Sequence, residues 1–264
     1  MPTDRARTPE MTQEATQEAT PEVTPEVTLR PASPDDLAEL AELYIATRRA
    51  AFPAMPAAIH DDAEVRDWFA GLAHAQPPKE IWLAEDAGDV LGFAVMTETW
   101  LDSLYVGPQH QATGIGSMLL DVVKAQRPGG FALWVFASNT AARTFYHRHG
   151  LVELEHTDGS ANEEGSPDVR MAWPGTDPVT YLRRQIDEVD DELALLLARR
   201  FALTAAVQGF KERGGQPGRD PGREREIADR MAAHAPGLGT EPIARIMHTV
   251  ISESLAAYES GSDR

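Results

Sequence analysis

Residues 182–200 read LRRQIDEVDDELALLLARR, and the run continues FALTAAVQGFK to residue 211. Leu182, Ile186, Val189, Leu193, Leu196, Arg200, Leu203, Val207 and Phe210 follow at alternating steps of four and three, the spacing that keeps one seam along an α-helix. An arginine therefore stands where the pattern asks for a leucine. Lys211 lies within about 20° of it on the helical wheel. A buried cation without a partner costs several kcal/mol. Either an anion meets these groups, or their apolar stems carry the charges out to water.

Working outward, Asp177 caps this helix and Pro178 begins it, which predicts one element over roughly 178–212. Helical patterns follow at 220–235 and 240–259, where Ile243, Met247, Val250, Ser254 and Tyr258 form a second stripe. A helix of this length is about 50 Å long, more than the diameter of a domain of some 85 residues. Its seam needs more apolar partner than one chain supplies, so a homodimer through these helices is expected. GTDPV at 175–179 marks a domain boundary, and all 5 Trp precede residue 174.

The chain has 264 residues, enough for two ordinary domains, and 42% of them are hydrophobic. It has no cysteine, which removes disulfides, thiolate metal sites and a cysteine nucleophile; no metal site is expected. Its net charge is −18. Residues 178–264 hold 12 Lys/Arg against 14 Asp/Glu, a net of −2, so residues 1–177 carry −16. A nucleic-acid footprint needs a basic face, and this balance argues against one. No uninterrupted apolar run of membrane-spanning length and no secretory signal pattern is seen, so the expectation is a cytoplasmic protein without membrane contact.

Residues 1–26 contain the repeat TQEATQEATPEVTPEV and read as a disordered tail, too poor in apolar groups to offset the entropy of ordering. Residues 27–174 alternate strand and helix signals. VTLRPA reads as a strand, and SPDDLAELAELY as a helix capped by Ser33. IWLAED (81–86) and DVLGFAVMTE (89–98) read as a hairpin about Ala87-Gly88. LDSLYV (101–106) is a strand, GSMLLDVVKAQ a helix, FALWVFAS (131–138) a strand and AARTFYHRHG a helix; LVELEH and VRMAW close the set. This is an α/β domain with a mixed sheet.

Between the strand ending at Val106 and the helix beginning near Gly116 lies Gln111-Ala112-Thr113-Gly114-Ile115-Gly116. Glycines there let the backbone turn tightly and aim N–H groups outward, and the helix N-terminus adds positive dipole, so a pyrophosphate fits. A tight strand-to-helix turn explains the same residues without a ligand. Together with Asn139 and Tyr146 before Gly150, the pattern resembles the GNAT family of acetyl-CoA-dependent N-acetyltransferases over about 27–174. The resemblance implies that acetyl-CoA binds through Gln111, Ala112, Thr113, Gly114, Ile115, Gly116 and Ser117, with its pantetheine arm along Leu104, Tyr105 and Val106 and near Asn139. It also implies that Tyr146 returns a proton to the leaving thiolate. Glu98, Glu85 and His110 are the candidates for the base; the acceptor amine is not specified.

The C-terminal third resembles the AroQ-type chorismate mutases, all-helical dimers with three helices per chain. The carrying residues are those of 182–200, then Lys211, Asp220-Pro-Gly-Arg223-Glu224, Gly237-Leu238 and IMHTVISES. The resemblance implies a pocket for a chorismate-like dicarboxylate. Arg200 and Arg183 (the latter from the partner chain) hold its carboxylates. Lys211 donates to the ether oxygen, Glu224 accepts from the hydroxyl, and Asp220, Arg223 and Ser254 line the site, with no cofactor. Arginine suits such a role because its planar fork binds carboxylates bidentately. Tyr258 departs from the family pattern, which has Gln or Glu at that place facing the ether oxygen. It leaves open 4-amino-4-deoxychorismate as substrate, lyase chemistry on isochorismate, or a module that only dimerises and senses a ligand. The domains expected are 1–26, 27–174 and 178–262, and the whole reads as a bifunctional enzyme.

Overall fold

The computed structural model describes residues 26–213, 219–235 and 237–262. The segment read as a tail lies, but for residue 26, outside them. The chain divides into two compact units, the first ending at Thr176 and the second beginning at Asp177.

In the first unit, strands β1 (Thr28–Pro31), β2 (Glu80–Asp86), β3 (Asp89–Met96) and β4 (Leu101–Val106) form an antiparallel sheet in that order. The β2–β3 hairpin turns on Ala87 and Gly88, both at positive φ (51° and 95°). Strands β5 (Phe131–Phe136), β6 (Val152–His156) and β7 (Asp168–Trp173) form a second antiparallel sheet in the order β5-β7-β6. Among the described residues every ladder is antiparallel. The parallel element is the bridge between Trp100 and Ala132, where Ala132 N–H also donates to Thr99 O at 2.9 Å. Beyond that bridge β4 and β5 part.

Helices α1 (Leu37–Ala50) and α2 (Asp62–Gly71) cover one face of the first sheet. Leu37, Leu40, Ala41, Phe69 and Leu72 meet Leu83, Phe93 and Val95 there. Helix α2 was not expected from the sequence, although its start carries a capping box: Asp61 accepts from the N–H groups of Ala63 and Glu64 (2.8 and 2.9 Å), and Glu64 accepts from the N–H of Asp61. Helix α3 (Ile115–Gln126) lies on the other face, with Ile115 and Leu119 against Ala84 and Leu91. The largest core joins the two sheets to α3 and α4 (Thr140–Arg148) through Met96, Leu101, Leu120, Phe131, Leu133, Val135, Tyr146, Val169 and Met171.

The second unit holds α5 (Pro178–Arg213), α6 (Pro221–His234) and α7 (Thr240–Ser262). Helix α5 packs on α7, and α6 packs on α7 around Ala228, Ile243 and Met247. The seam of α5 departs from expectation within this unit. Ile186, Val189, Leu193, Leu196, Leu203, Val207 and Phe210 are 48–71% exposed. The side of α5 turned to α7 is the neighbouring, more polar one, on which Gln208 is buried and Leu197, Arg200, Thr204 and Lys211 are half-buried. Arg200 is thus better sheltered than the leucines flanking it. Helix α5 is long and apolar enough by length and composition alone to span a bilayer; its most apolar 18 residues are not an uninterrupted apolar run, so this does not conflict with the expectation. An arginine at the centre of a spanning helix costs about 2.5–3.5 kcal/mol, and Arg199 and Arg200 both fall inside this stretch.

Candidate functional sites

The first site lies where β4 and β5 part. A cleft of about 580 Å³ opens there, lined by Leu101–Tyr105 of β4, Leu133–Phe136 of β5, and Asn139, Ala142 and Tyr146 near one end. Residues of α1 and of the β6–β7 segment line it as well: Arg48, Glu155, Glu164 and Asp168. The open edges of two strands supply backbone donors and acceptors that the sheet ladders leave unused.

The loop after β4 has the geometry its residues suggest. Ala112 and Gly114 sit at φ 63° and 97°, and Gly114 is the N-cap of α3. The N–H groups of Ser117 and Met118 return to Gly114 O (3.0 and 3.1 Å), so the first turn closes on that carbonyl. The N–H groups ahead of them are those an α-helix leaves without internal partners. Gln111 Nε2 donates to Val106 O at 3.2 Å and Thr113 Oγ1 to His110 O at 2.6 Å, which shapes the loop from within. Gly116 lies beside Phe145, and a Cβ there would make an ordinary contact with its ring at 3.5 Å. Ser117 is occupied, its Oγ hydrogen-bonding His149 Nε2 at 2.9 Å.

Asn139 caps α4, its Oδ1 accepting from Ala142 N–H at 3.1 Å. Tyr146 is 8% exposed, and burial holds its phenol pKa well above the usual range, so it stays protonated through neutral pH. None of the three base candidates lines the cleft. Glu98 is exposed in the β3–β4 turn, Glu85 accepts from Arg30 Nε at 2.9 Å, and His110 sits in the short helical turn after β4. The carboxylates that do line it are Asp102, Glu155, Glu164 and Asp168.

Arg48 is a cleft-lining residue that no sequence motif singled out. It is 7% exposed, donates from Nη2 to Glu164 at 3.0 Å and rests over the Phe136 ring at 5.7 Å. Its Nε is buried and has no hydrogen-bond partner. The signal was present: Arg48 continues the apolar face Leu37, Leu40, Ala41, Tyr44, Ile45 at helical spacing, the same anomaly as Arg200 in α5.

In the second unit the structure brings together some of the expected residues. Arg200 Nη1 donates to Ser254 Oγ at 3.1 Å, and Ser254, 2% exposed, donates to Val250 O at 2.6 Å. Lys211 is close enough to Asp220 for its charge to help hold that carboxylate below its usual pKa, behind the larger effect of the Arg223 N–H. Asp220 also serves as the α6 N-cap, its Oδ1 accepting from Gly222 and Arg223 N–H at 3.0 Å each. The Tyr258 hydroxyl lies over Gly209 of α5, 3.7 Å from where a Cβ would stand. Arg183 and Arg223 are exposed; the Arg223 guanidinium pairs with Glu226 at 2.9 Å, and Arg223 meets Asp220 through its backbone N–H.

Glu224 has a partner the sequence analysis does not foresee. Arg219 grips it bidentately (Nε 2.8 Å, Nη2 2.6 Å), donates from Nη1 to Ser252 Oγ at 2.8 Å and lies 2.9 Å from His248 Nδ1. The Arg219 guanidinium lowers the Glu224 pKa, and the pair ties the start of α6 to α7.

Comparisons with known proteins agree with this division. The family model described as acetyltransferase (GNAT) domain matches residues 77–153, and that described as chorismate mutase type II matches residues 182–259. The T-protein of Enterobacter agglomerans is 39% identical over 88 residues, 33% of this chain, and that match spans only 23% of the T-protein. Among solved structures, the apo form of YjaB from Escherichia coli is 18% identical, with 57% of this chain and 99% of that one covered at a TM-score of 0.47. The structure of yncA from Salmonella typhimurium with its cofactor acetyl-CoA is likewise 18% identical, with 58% and 97% covered at a TM-score of 0.44. The chain joins a GNAT acetyltransferase domain to a type II chorismate mutase domain. Both matched families are described as enzyme domains.

Proposed function

We propose that the first domain transfers an acetyl group from acetyl-CoA to a small-molecule amine, and that the second converts chorismate to prephenate. The observation that carries the first half is the loop Gln111–Gly116 opening α3 beside a cleft that reaches Tyr146. The N–H groups of Ala112 to Gly116 would hold the pyrophosphate, and Leu104, Tyr105 and Val106, with Asn139 beyond them, would hold the pantetheine arm. Ser117 borders this seat without offering its hydroxyl. The neutral amine attacks the thioester carbonyl and the C–S bond breaks. The amine's proton leaves to solvent or to a cleft carboxylate, and the thiolate takes one from Tyr146. Acid–base help of this kind contributes about 10²–10⁴-fold.

The second half rests on Arg200, a cation held against α7 by Ser254 while apolar residues around it stay exposed. With Lys211, Asp220 and Glu224 at the same end of α5 and α6, it offers fixed charge to a small dianion. Arg183 and Arg223 complete that site when a second copy covers the exposed stripe of α5, and Ser254 and Tyr258 form its floor. The rearrangement is unimolecular and needs no nucleophile: the protein holds the reactive conformer and stabilises the charge separating across the breaking C–O bond. Tyr258, a donor bulkier than glutamine, favours the second reading, in which the substrate is 4-amino-4-deoxychorismate or the module binds without turnover. We place the protein in the cytoplasm as a homodimer, with no nucleic-acid or membrane partner.

Two measurements on the full chain test this reading. Calorimetry with acetyl-CoA should show saturable binding, and a discontinuous assay should show prephenate formed from chorismate. Absence of the first removes the acetyltransferase assignment. Binding of chorismate without prephenate leaves the sensing module.

A further inference from the structure

The loop that opens α3 holds no cation of its own. From Gln111 to Ser117 every side chain is neutral, and Gln111 and Thr113 turn their donors back into the loop. An anion there is met by backbone N–H groups and the helix dipole alone. A histidine stands one hydrogen bond away. His149 is the C-cap of α4, and its Nδ1 lies 2.8 Å from Phe145 O. A carbonyl oxygen only accepts, so Nδ1 carries the hydrogen. In the neutral ring Nε2 is then a lone pair, and Ser117 Oγ, 2.9 Å away, donates to it. Ser117 is in the first turn of α3, where the Cα–Cβ bond tilts toward the helix N-terminus, so its Oγ borders the N–H groups that the turn leaves unpaired. The neutral ring thus keeps the hydroxyl's hydrogen away from any anion on those groups.

Protonation reverses that bond. An imidazolium donates from both nitrogens, so Nε2–H donates to Ser117 Oγ and the hydroxyl's hydrogen is released. The His149 ring is half-buried, with its centroid 4.3 Å from that of Phe145, and both of its hydrogen bonds go to neutral groups. The charged groups on the helices around it are Asp121 and Lys124 of α3, and Arg143, His147 and Arg148 of α4. Lys124 Nζ donates to His149 O at 2.7 Å, while Glu153 holds Arg143 and His147 at 2.7 and 3.0 Å. Asp121 and Arg148 are exposed. Among the described residues no carboxylate pairs with the His149 ring, so a charge on it finds its counter-ion in a ligand.

We propose that His149 links coenzyme A binding to the uptake of a proton: the pyrophosphate favours the imidazolium, which frees the Ser117 hydroxyl to donate to the anion and adds a positive charge behind it. This rests on the coenzyme A reading of the loop and deepens it. Solvent supplies the proton to Nε2, Ser117 Oγ accepts from the new N–H, and the hydroxyl's own hydrogen turns to a phosphate oxygen. Affinity therefore rises as pH falls through the range in which histidines titrate. His110, the ionisable residue next to the loop in sequence, is placed differently. Its ring packs back on Gly107, with Cδ2 3.4 Å from where a Cβ would stand, and among the described residues no hydrogen bond joins that ring to α3.

The test is calorimetry on the full chain with 3′-dephospho-coenzyme A as probe. It keeps the pyrophosphate and lacks the phosphate monoester, a group that itself titrates near about pH 6. At about pH 7, binding enthalpies measured in two buffers of unlike ionisation enthalpy should differ in the sense of proton uptake. Affinity should be about tenfold higher at about pH 6 than at about pH 8. His149→Gln has no proton to take up, so it should show neither effect, whereas His110→Gln should show both. The uptake is read on the wild-type protein and does not depend on either variant folding. Equal enthalpies in the two buffers, an affinity unchanged across that pH range, or effects that persist in His149→Gln or vanish in His110→Gln overturn the proposal. Absence of binding by the wild-type protein at either pH overturns the coenzyme A reading beneath it.

Discussion

Arg48 and Arg200, in two unrelated units, are guanidiniums that interrupt an apolar helical pattern in the sequence, each with a hydrogen bond to a distant element. A cation in such a place is poor for stability, so function is the economical explanation for it. For Arg200 this separates two measurements. Arg200→Leu leaves Ser254 still bonded to Val250 O, so the melting temperature should hold or rise, while mutase turnover should fall about 10²–10³-fold. Lys211→Met should behave alike. Near-wild-type prephenate formation by both variants would leave Arg200 a stem-buried surface cation. Arg219 acts one step removed, through Glu224. Its guanidinium keeps the Glu224 carboxylate ionised to lower pH than an unpaired glutamate. Arg219→Gln lets that pKa return upward, so the acid limb of the mutase kcat/KM profile should move to higher pH. A profile unchanged between about pH 4 and 7 would make Arg219 a structural tie between α6 and α7 alone.

At the scale of elements, α3 depends on how its first turn is begun. Gly114 at φ 97° is a conformation that side chains avoid, and a carboxylate there would occupy the anion seat as well. Gly114→Glu should abolish acetyl-CoA binding in calorimetry while leaving the mutase activity; retained affinity would show that the loop is an ordinary strand-to-helix turn. The β6–β7 segment has a matching requirement. Gly159 sits at φ 81° where a Cβ would overlap Ser166 backbone atoms at 2.2–2.6 Å. That close crossing is what delivers Glu164 to Arg48, 116 residues earlier in the chain. Helix α5 shows the converse: its local pattern was plain, but which of its faces meets α7 was not.

For the whole molecule, two units invite separation. Removing residues 177–264 should give a monomer with unchanged acetyl-CoA affinity, because the exposed apolar stripe of α5 goes with them. Sedimentation of the shortened and full chains checks this. A shortened chain that remains dimeric would place the interface in the first unit. Burying an exposed leucine-sized side chain stabilises an interface by roughly 1.5–3 kcal/mol, and seven such residues lie on the seam of α5.

The periodicities of Leu182–Phe210 and of the strand 101–106, the punctuation at Asp177-Pro178, and the glycines at 114 and 116 were legible in the sequence because each is a local matter of repeat, cap or backbone freedom. They determined the helix and strand inventory apart from α2, the phosphate-type loop, and the anomaly at Arg200. Tertiary structure alone decided what stands opposite what. The order β5-β7-β6 sets Asp168 beside Phe136, the crossing at Gly159 brings Glu164 to Arg48, and Arg219 reaches Glu224, Ser252 and His248 together. Charge pairing across a cleft depends on distance in space, and no spacing along the chain records it. For that reason the candidate bases chosen by chain position, Glu98, Glu85 and His110, fell outside the cleft, while its acidic wall came from segments with no motif of their own.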